Sequence, residues 1–245
     1  MIKAYMNWSG GKDSALCLCR VLMEKQYQVE CLLTSINSVY NRISMHGVRR
    51  ELLETQAKAI GISLQTIELP EQPSMAEYEG AMLSKTDALR ESGYAHAIFG
   101  DIFLEDLKQY REKKLAAAEI RAVFPLWKIP TLQLMEEFIS LGFKGVVVCV
   151  NENLLPRNFC GRLLDASFLK DLPANVDPCG ENGEFHSFVF DGPIFSRPVP
   201  FQVGETVYRT YKAPGQAGVS QEPLDQPGQY GFYFCDLIPA FTEVG

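Results

Sequence analysis

The feature that most constrains this 245-residue chain is its opening: an apolar run over 2–8, the hexapeptide Ser9-Gly10-Gly11-Lys12-Asp13-Ser14, and a helix-forming stretch from Asp13 to about Gln26. A strand that ends on adjacent glycines and restarts as a helix has few ways to fold. The glycines let the backbone turn tightly and expose its N–H groups. Those groups and the positive end of the helix make a concavity suited to a pyrophosphate. Lys12 adds a point charge, and Ser9 and Ser14 offer hydroxyls. Asp13 is placed to cap the helix, to ligate Mg²⁺, or both. The spacing is not Walker A, which needs four residues between its first Gly and Gly-Lys. Gly10-Gly11 alone would fit an ordinary turn before a helix cap. The whole hexapeptide at the end of a first strand favours a phosphate cradle, with Ser9, Gly10, Gly11, Lys12, Asp13 and Ser14 as its binding residues.

The pattern that follows extends this start into a sheet. Strands are expected over 29–35, 63–68, 95–99, 123–126 and 144–150, and helices over 46–60, 75–92, 104–120 and 131–141. Gly61 and Gly93 stop two of the helices. Alternation of this kind predicts an α/β fold, a doubly wound, mostly parallel sheet with helices on both faces. Ligands of such sheets sit at the carboxyl ends of the strands. Ser9, Asn37 and Asp101 each follow a predicted strand, so they are expected to converge on one crevice. After about Asn151 the texture changes: a helix near 165–172, then dense Gly and Pro with short strands over 184–190, 201–211 and 230–237. The expectation is an ATP-binding portion over 1–150 and a smaller C-terminal α+β portion over 151–245 that folds back on the same site.

Bulk properties bound the partners. The net charge of −7 repels a nucleic-acid backbone, so nucleic acid is not an expected partner. The basic cluster over 108–114 reads as a solvated helix face. Seven scattered cysteines without a CxxC pair read as buried thiols in a reducing cytosol. Neither cysteines nor histidines have zinc-ligand spacing. No stretch approaches the ~20 apolar residues of a membrane span, so the expected location is cytoplasmic.

Three further segments carry chemistry. One is 40–47, where Met45-His46 enters a helix. Another is Gly100-Asp101-Ile102, followed by Leu107, Tyr110, Arg111 and Glu112. The third is Asp177-Pro178-Cys179-Gly180-Glu181-Asn182-Gly183-Glu184-Phe185-His186-Ser187-Phe188. Its glycine-flanked acidic core suits close backbone approach and a carboxylate that binds a cation or takes a proton. Glu184 is the first choice, Glu181 is close behind, and His186 is placed to assist proton transfer near neutral pH. His186 also fits an ordinary packed strand histidine. His46 reads as a helix N-terminal residue, with substrate or nucleotide contact as its functional alternative. His96, Cys17 and Cys19 read as structural.

The phosphate loop resembles that of the PP-loop superfamily, the N-type ATP pyrophosphatases. With the three segments and Pro125-Leu126-Trp127, the chain resembles the diphthine–ammonia ligase family over roughly residues 1–195. The resemblance implies cleavage of ATP between its α- and β-phosphates, adenylation of a carboxylate and displacement of AMP by ammonia. The acceptor it implies is diphthine, a modified histidine on elongation factor 2. It also implies Lys12, the loop amides and Mg²⁺ as stabilisers of the developing charge, with Asp13 or Asp101 holding the metal and Gly100-Asp101 beside the nucleotide. No glutaminase elbow is visible, so free ammonium or a separate subunit is the expected nitrogen source. Two alternatives belong to other classes: a PP-loop RNA-modifying enzyme of thiolation or lysidine type, and a non-catalytic adenine-nucleotide sensor. The segment after Gly192 either covers the site or builds a homodimer contact.

Overall fold

The computed structural model describes residues 1–43, 46–212 and 229–240; Met45, read above with His46, lies outside the described residues. The first strand, β1 (Ile2–Asn7), occupies the middle of a parallel sheet. It pairs on one side with β2 (Tyr27–Asn37) and on the other with β5 (His96–Ile98). Outward from these lie β4 (Ser63–Leu69) on β2 and β6 (Arg121–Val123) on β5, both parallel. A two-residue strand, β3 (Arg42–Ile43), turns back antiparallel on the end of β2. The chain therefore winds outward from β1 in one direction, then returns to β5 and winds out in the other. The reversal lies between β1 and β5, and a crevice opens at such a switch point.

Side-chain alternation along these strands feeds two cores. Ala4, Met6, Leu32 and Ile98 face one side, and Tyr5, Cys31, Leu33, Ala97 and Phe99 the other. The second side is covered by α3 (Met75–Glu91) and α4 (Glu105–Ala116), through Leu89 and Leu115. A capping box between Ser74 and Glu77 fixes the start of α3. The first side is covered by α1 (Lys12–Glu24), α2 (Arg50–Ile60) and α5 (Thr131–Ser140). The doubly wound α/β expectation holds.

The strand expected over 144–150 forms but joins a different sheet. As β7 (Lys144–Asn151) it pairs antiparallel with β8 (Phe185–Asp191) and β10 (Gln229–Pro239), and β10 pairs with β9 (Phe201–Lys212). A short helix, α6 (Ala166–Asp171), precedes β8. The sheets thus part between β6 and β7. An apolar β-branched run suits the centre of either sheet, so its residue types did not choose the partner. Val146, Val148 and Phe188 share one continuous core with Met6, Leu16 and Leu52, which seats the second sheet against α1 and α2. Among the described residues no helix is long and apolar enough to cross a membrane.

Candidate active site

A cleft of about 560 Å³ opens at the carboxyl ends of β1, β2 and β5. Its floor is the hexapeptide, and the segment 177–187 lies across it. The volume falls within the range of small-molecule sites.

The loop is held open by residues far away in sequence. Gly10 has φ +74°, and a Cβ there would strike Leu53 and Gln56, so the glycine is required twice over. Buried Gln56 accepts from Trp8 Nε1 at 2.7 Å and donates to the Gly10 carbonyl at 3.0 Å and the Val189 carbonyl at 2.6 Å. Val189 N–H donates to the Gly10 carbonyl at 2.9 Å, and Lys12 N–H donates to Ser187 Oγ at 3.1 Å. The free edge of β8 is therefore sealed by the phosphate loop, a bond pattern that fixes His186 and Ser187 at the cleft wall. Ser9 and Ser14 bring their hydroxyls within 3.2 Å of each other, and Ser9 Oγ accepts from Gly11 N–H.

Gly11, not Asp13, is the N-cap of α1, and no side chain caps that end. The capping expectation for Asp13 fails because its carboxylate goes to Lys12 Nζ at 2.8 Å. Asp13 still stands in the first helical turn, where the helix dipole favours a negative charge. Lys12 is buried, and its ammonium donates to Asp13 and to the Cys179 carbonyl. Burial works to lower the Lys12 pKa, but Asp13, Cys179 and Glu181 outweigh it and the net direction is up. Burial dominates at Asp13 and raises its pKa against the pull of Lys12.

In the acidic segment, two of the carboxylates hold the loop itself. Asp177 accepts from the N–H groups of Cys179 and Glu181 and from Thr131 Oγ1. Glu184 is buried, outside the cleft wall, and accepts from Asp177 N–H, Asn182 N–H and Asn182 Nδ2. The preference for Glu184 as the working carboxylate is thereby corrected, since its oxygens are spent on its own loop. Glu181 is the one that lines the cleft. It accepts from Ile102 N–H at 2.8 Å, and burial pushes its pKa up to about 7, with Asp13 and Asp101 adding to the rise.

His46 and His186 both line the cleft, their ring centroids 4.4 Å apart. His46 sits in a turn, because Gly47 at φ +70° interrupts the chain and α2 starts only at Arg50. The turn is clamped by Asp236 of β10, which pairs with Arg42 at 2.8 Å and Arg49 at 2.6 Å. Burial lowers the His46 pKa to about 4. Burial, then His46, then Lys12 drive His186 well below its ordinary value. The lowered pKa weakens His186 as a base for the proton transfer expected of it. His96 lies away from the cleft, in ring contact with Tyr27.

On the β5 side, Gly100 is a steric necessity: a Cβ would sit 3.0 Å from the Asp13 backbone, so glycine lets this turn approach α1. Asp101 lies at the cleft wall, 3.0 Å from Arg111 Nε of α4. Burial raises its pKa, opposed by Arg111 and assisted by Asp13. Asn37 does not reach the crevice. β2 runs past the end of β1, and Asn37 Oδ1 accepts from Val39 and Tyr40 N–H. Thr34 and Ser35 line the cleft on that side, and Leu33, Ile67, Tyr78, Met82 and Phe99 give it an apolar end. Among the described residues no group of three or more His, Cys, Asp or Glu is pre-assembled to hold a metal. Asp13 and Asp101 are the carboxylates beside the loop, each held by a cation.

Sequence reasoning missed Gln56, Ser187 and Arg111 as parts of the site. Gln56 left a signal, a polar residue among apolar ones on the buried face of a helix. Ser187 and Arg111 were quoted within motifs, but nothing in the spacing aimed them.

Two family models together match most of the chain. Residues 2–118 match the diphthamide synthase N-terminal domain, and residues 130–213 the diphthamide synthase C-terminal domain. A diphthine–ammonia ligase of Danio rerio is 26% identical over 125 residues, 49% of each protein, so the match spans about half the length of that curated relative. A solved U34-tRNA thiolase, NcsA from Methanococcus maripaludis with its [4Fe-4S] cluster, is 19% identical with a TM-score of 0.38 over 58% of each chain.

Proposed function

The chain belongs to the diphthamide synthase family, and on that premise we propose that it is an ATP-dependent ligase that adenylates a carboxylate and amidates it with ammonia. The acceptor we assign is the carboxylate of diphthine on elongation factor 2, and the compartment is the cytosol, which suits free thiols. The observation that carries the reading is a juxtaposition. One cleft holds a lysine-bearing phosphate loop and, across from it, a carboxylate raised to about pKa 7.

Residue roles follow from position. The amides of Asp13 and Ser14 and the ammonium of Lys12 receive the triphosphate, with Ser9 and Ser14 on its oxygens. The apolar end takes the adenine. Asp13 and Asp101 fit a magnesium ion that arrives with the nucleotide, because Mg²⁺ binds through one or two carboxylates plus phosphates and waters. Bound there, the ion would neutralise charge on the phosphates. An acceptor carboxylate oxygen bonds to the α-phosphorus as the bond to pyrophosphate breaks. Lys12 stabilises the charge that gathers on the leaving group. Glu181 takes a proton from ammonium, and the freed ammonia attacks the acyl carbon as AMP departs. A base with a pKa near the operating pH suits that transfer. Neutral His186 and His46 offer hydrogen bonds without adding charge. The parallel-sheet portion, up to β6, serves the nucleotide in this reading, and the portion from β7 onward reaches the same cleft through Glu181 and His186.

The test is a pyrophosphate-release assay with ATP, ammonium and diphthine-bearing elongation factor 2, run beside Lys12→Ala. Release that needs both ammonium and the acceptor supports the reading. Equal release by Lys12→Ala would sink the mechanism.

A further inference from the structure

Lys12 and Arg111 are the cationic side chains that line the cleft among the described residues. Their situations differ. Lys12 is committed inside the phosphate loop, bonded to Asp13 and to the Cys179 carbonyl. Arg111 also lines the cleft, its guanidinium carbon 4.3 Å from the Phe99 ring centroid. Its Nε lies 3.0 Å from Asp101 Oδ2, yet both atoms are buried and neither makes a hydrogen bond. A buried donor and a buried acceptor in contact without alignment form an arrangement that a third group completes.

The ligase reading, on which this step rests, needs such a group. An anionic carboxylate must approach an anionic triphosphate, and the phosphate loop's own cation is assigned to the triphosphate. A guanidinium matches a carboxylate in two parallel bonds, which an ammonium does not. Glu181 is the neighbour on this wall, since its carboxylate is bonded to Ile102 N–H, one residue past Asp101. A carboxylate seated on Arg111 would lie beside the group assigned to deliver ammonia.

We propose that Arg111 is the receptor for the acceptor carboxylate, and that the carboxylate takes over the guanidinium from Asp101. The exchange leaves Asp101 free to serve the nucleotide side of the cleft. Arg111 then decides which acceptors enter: carboxylates on an arm able to reach the cleft wall.

The probe is 3-(imidazol-4-yl)propanoate, a carboxylate carried from an imidazole ring, with α,β-methylene-ATP as the inert nucleotide. The ¹H–¹⁵N signal of Arg111 Nε–H, assigned by its loss in Arg111→Lys, should shift saturably with the carboxylate. It should stay within its unliganded position with the nucleotide analogue alone. By calorimetry, Arg111→Lys and Arg111→Gln should bind the carboxylate at least tenfold more weakly and the analogue within twofold of wild type. Equal unfolding midpoints would confirm that the variants are folded. A shift driven by the analogue alone would assign Arg111 to the phosphates and overturn the proposal. So would an absent shift with the carboxylate, or unchanged carboxylate affinity in the variants. Wild type that binds the carboxylate at Arg111 but releases no pyrophosphate with any acceptor would sink the ligase reading and leave this site standing.

Discussion

The two loops that meet in the cleft are built on opposite plans. The hexapeptide 9–14 lines the cleft and, beyond the bonds of Ser9 and Ser14 within it, is supported from outside by Gln56 from α2 and Ser187 and Val189 from β8. The acidic segment 177–187 supports itself. Asp177 and Glu184 spend their carboxylates on its own backbone, and only Glu181 among its acids faces the cleft. The difference teaches that a dense motif is not densely catalytic. In the first loop, mutation should strike chemistry. In the second, most mutations should strike stability.

The largest effect is expected where the first loop meets charge. Lys12→Ala should cut pyrophosphate release by a hundred- to a thousandfold, about 3–4 kcal/mol of transition-state stabilisation, in a protein that still folds, though with a lowered unfolding midpoint because Asp13 and the Cys179 carbonyl lose their buried partner. A variant that unfolded instead would break the contrast, because it would make the first loop's lysine structural too.

Next comes Glu184→Ala. Removing a buried carboxylate leaves the N–H groups of Asp177 and Asn182 without their acceptor. A loss of about 2–3 kcal/mol in urea unfolding is expected. Full stability with abolished amidation would return Glu184 to the catalytic role that the sequence favoured.

Glu181→Gln sharpens the contrast within the second loop. Acceptor-dependent ATP–pyrophosphate exchange should persist, while amide formation falls about tenfold or more, within the range of a lost general base. Its stability carries a signature as well. The native pKa of about 7 is above the ordinary glutamate value of 4.5, so the folded state binds this proton more tightly. Stability therefore falls as pH climbs from about 4.5 through 7. Glu181→Gln should lose that slope and gain stability relative to wild type at pH 8. Parallel urea midpoints for the two proteins across pH 5–8 would contradict the raised pKa.

The same contrast explains what the sequence made legible. Strand, glycine pair and helix are local signals, so the phosphate loop and the α/β winding were readable residue by residue. The side of the sheet that each residue of β1 feeds was not readable, because Ala4, Tyr5 and Met6 are all apolar and buried on alternate faces. Nor was the sheet that β7 joins, since Val146 to Val150 would be buried in either. Loop 180–184 has no periodicity, so nothing local separated Glu181 from Glu184. That choice was made by Ile102 N–H, brought to Glu181 from the turn after β5. Asn37 failed for a related reason: strand ends are visible in sequence, but the extra length of β2 beyond β1 is not.

The central claim is that the cleft splits ATP between its α- and β-phosphates to activate a carboxylate for ammonia. The most direct measurement is product analysis of one complete reaction, with ATP, magnesium, ammonium and diphthine-bearing elongation factor 2. The expected result is AMP, pyrophosphate and acceptor amide in equal amounts, with none of the three formed when ammonium and acceptor are both withheld. ADP and phosphate as products, or nucleotide bound tightly with no product at all, would contradict it.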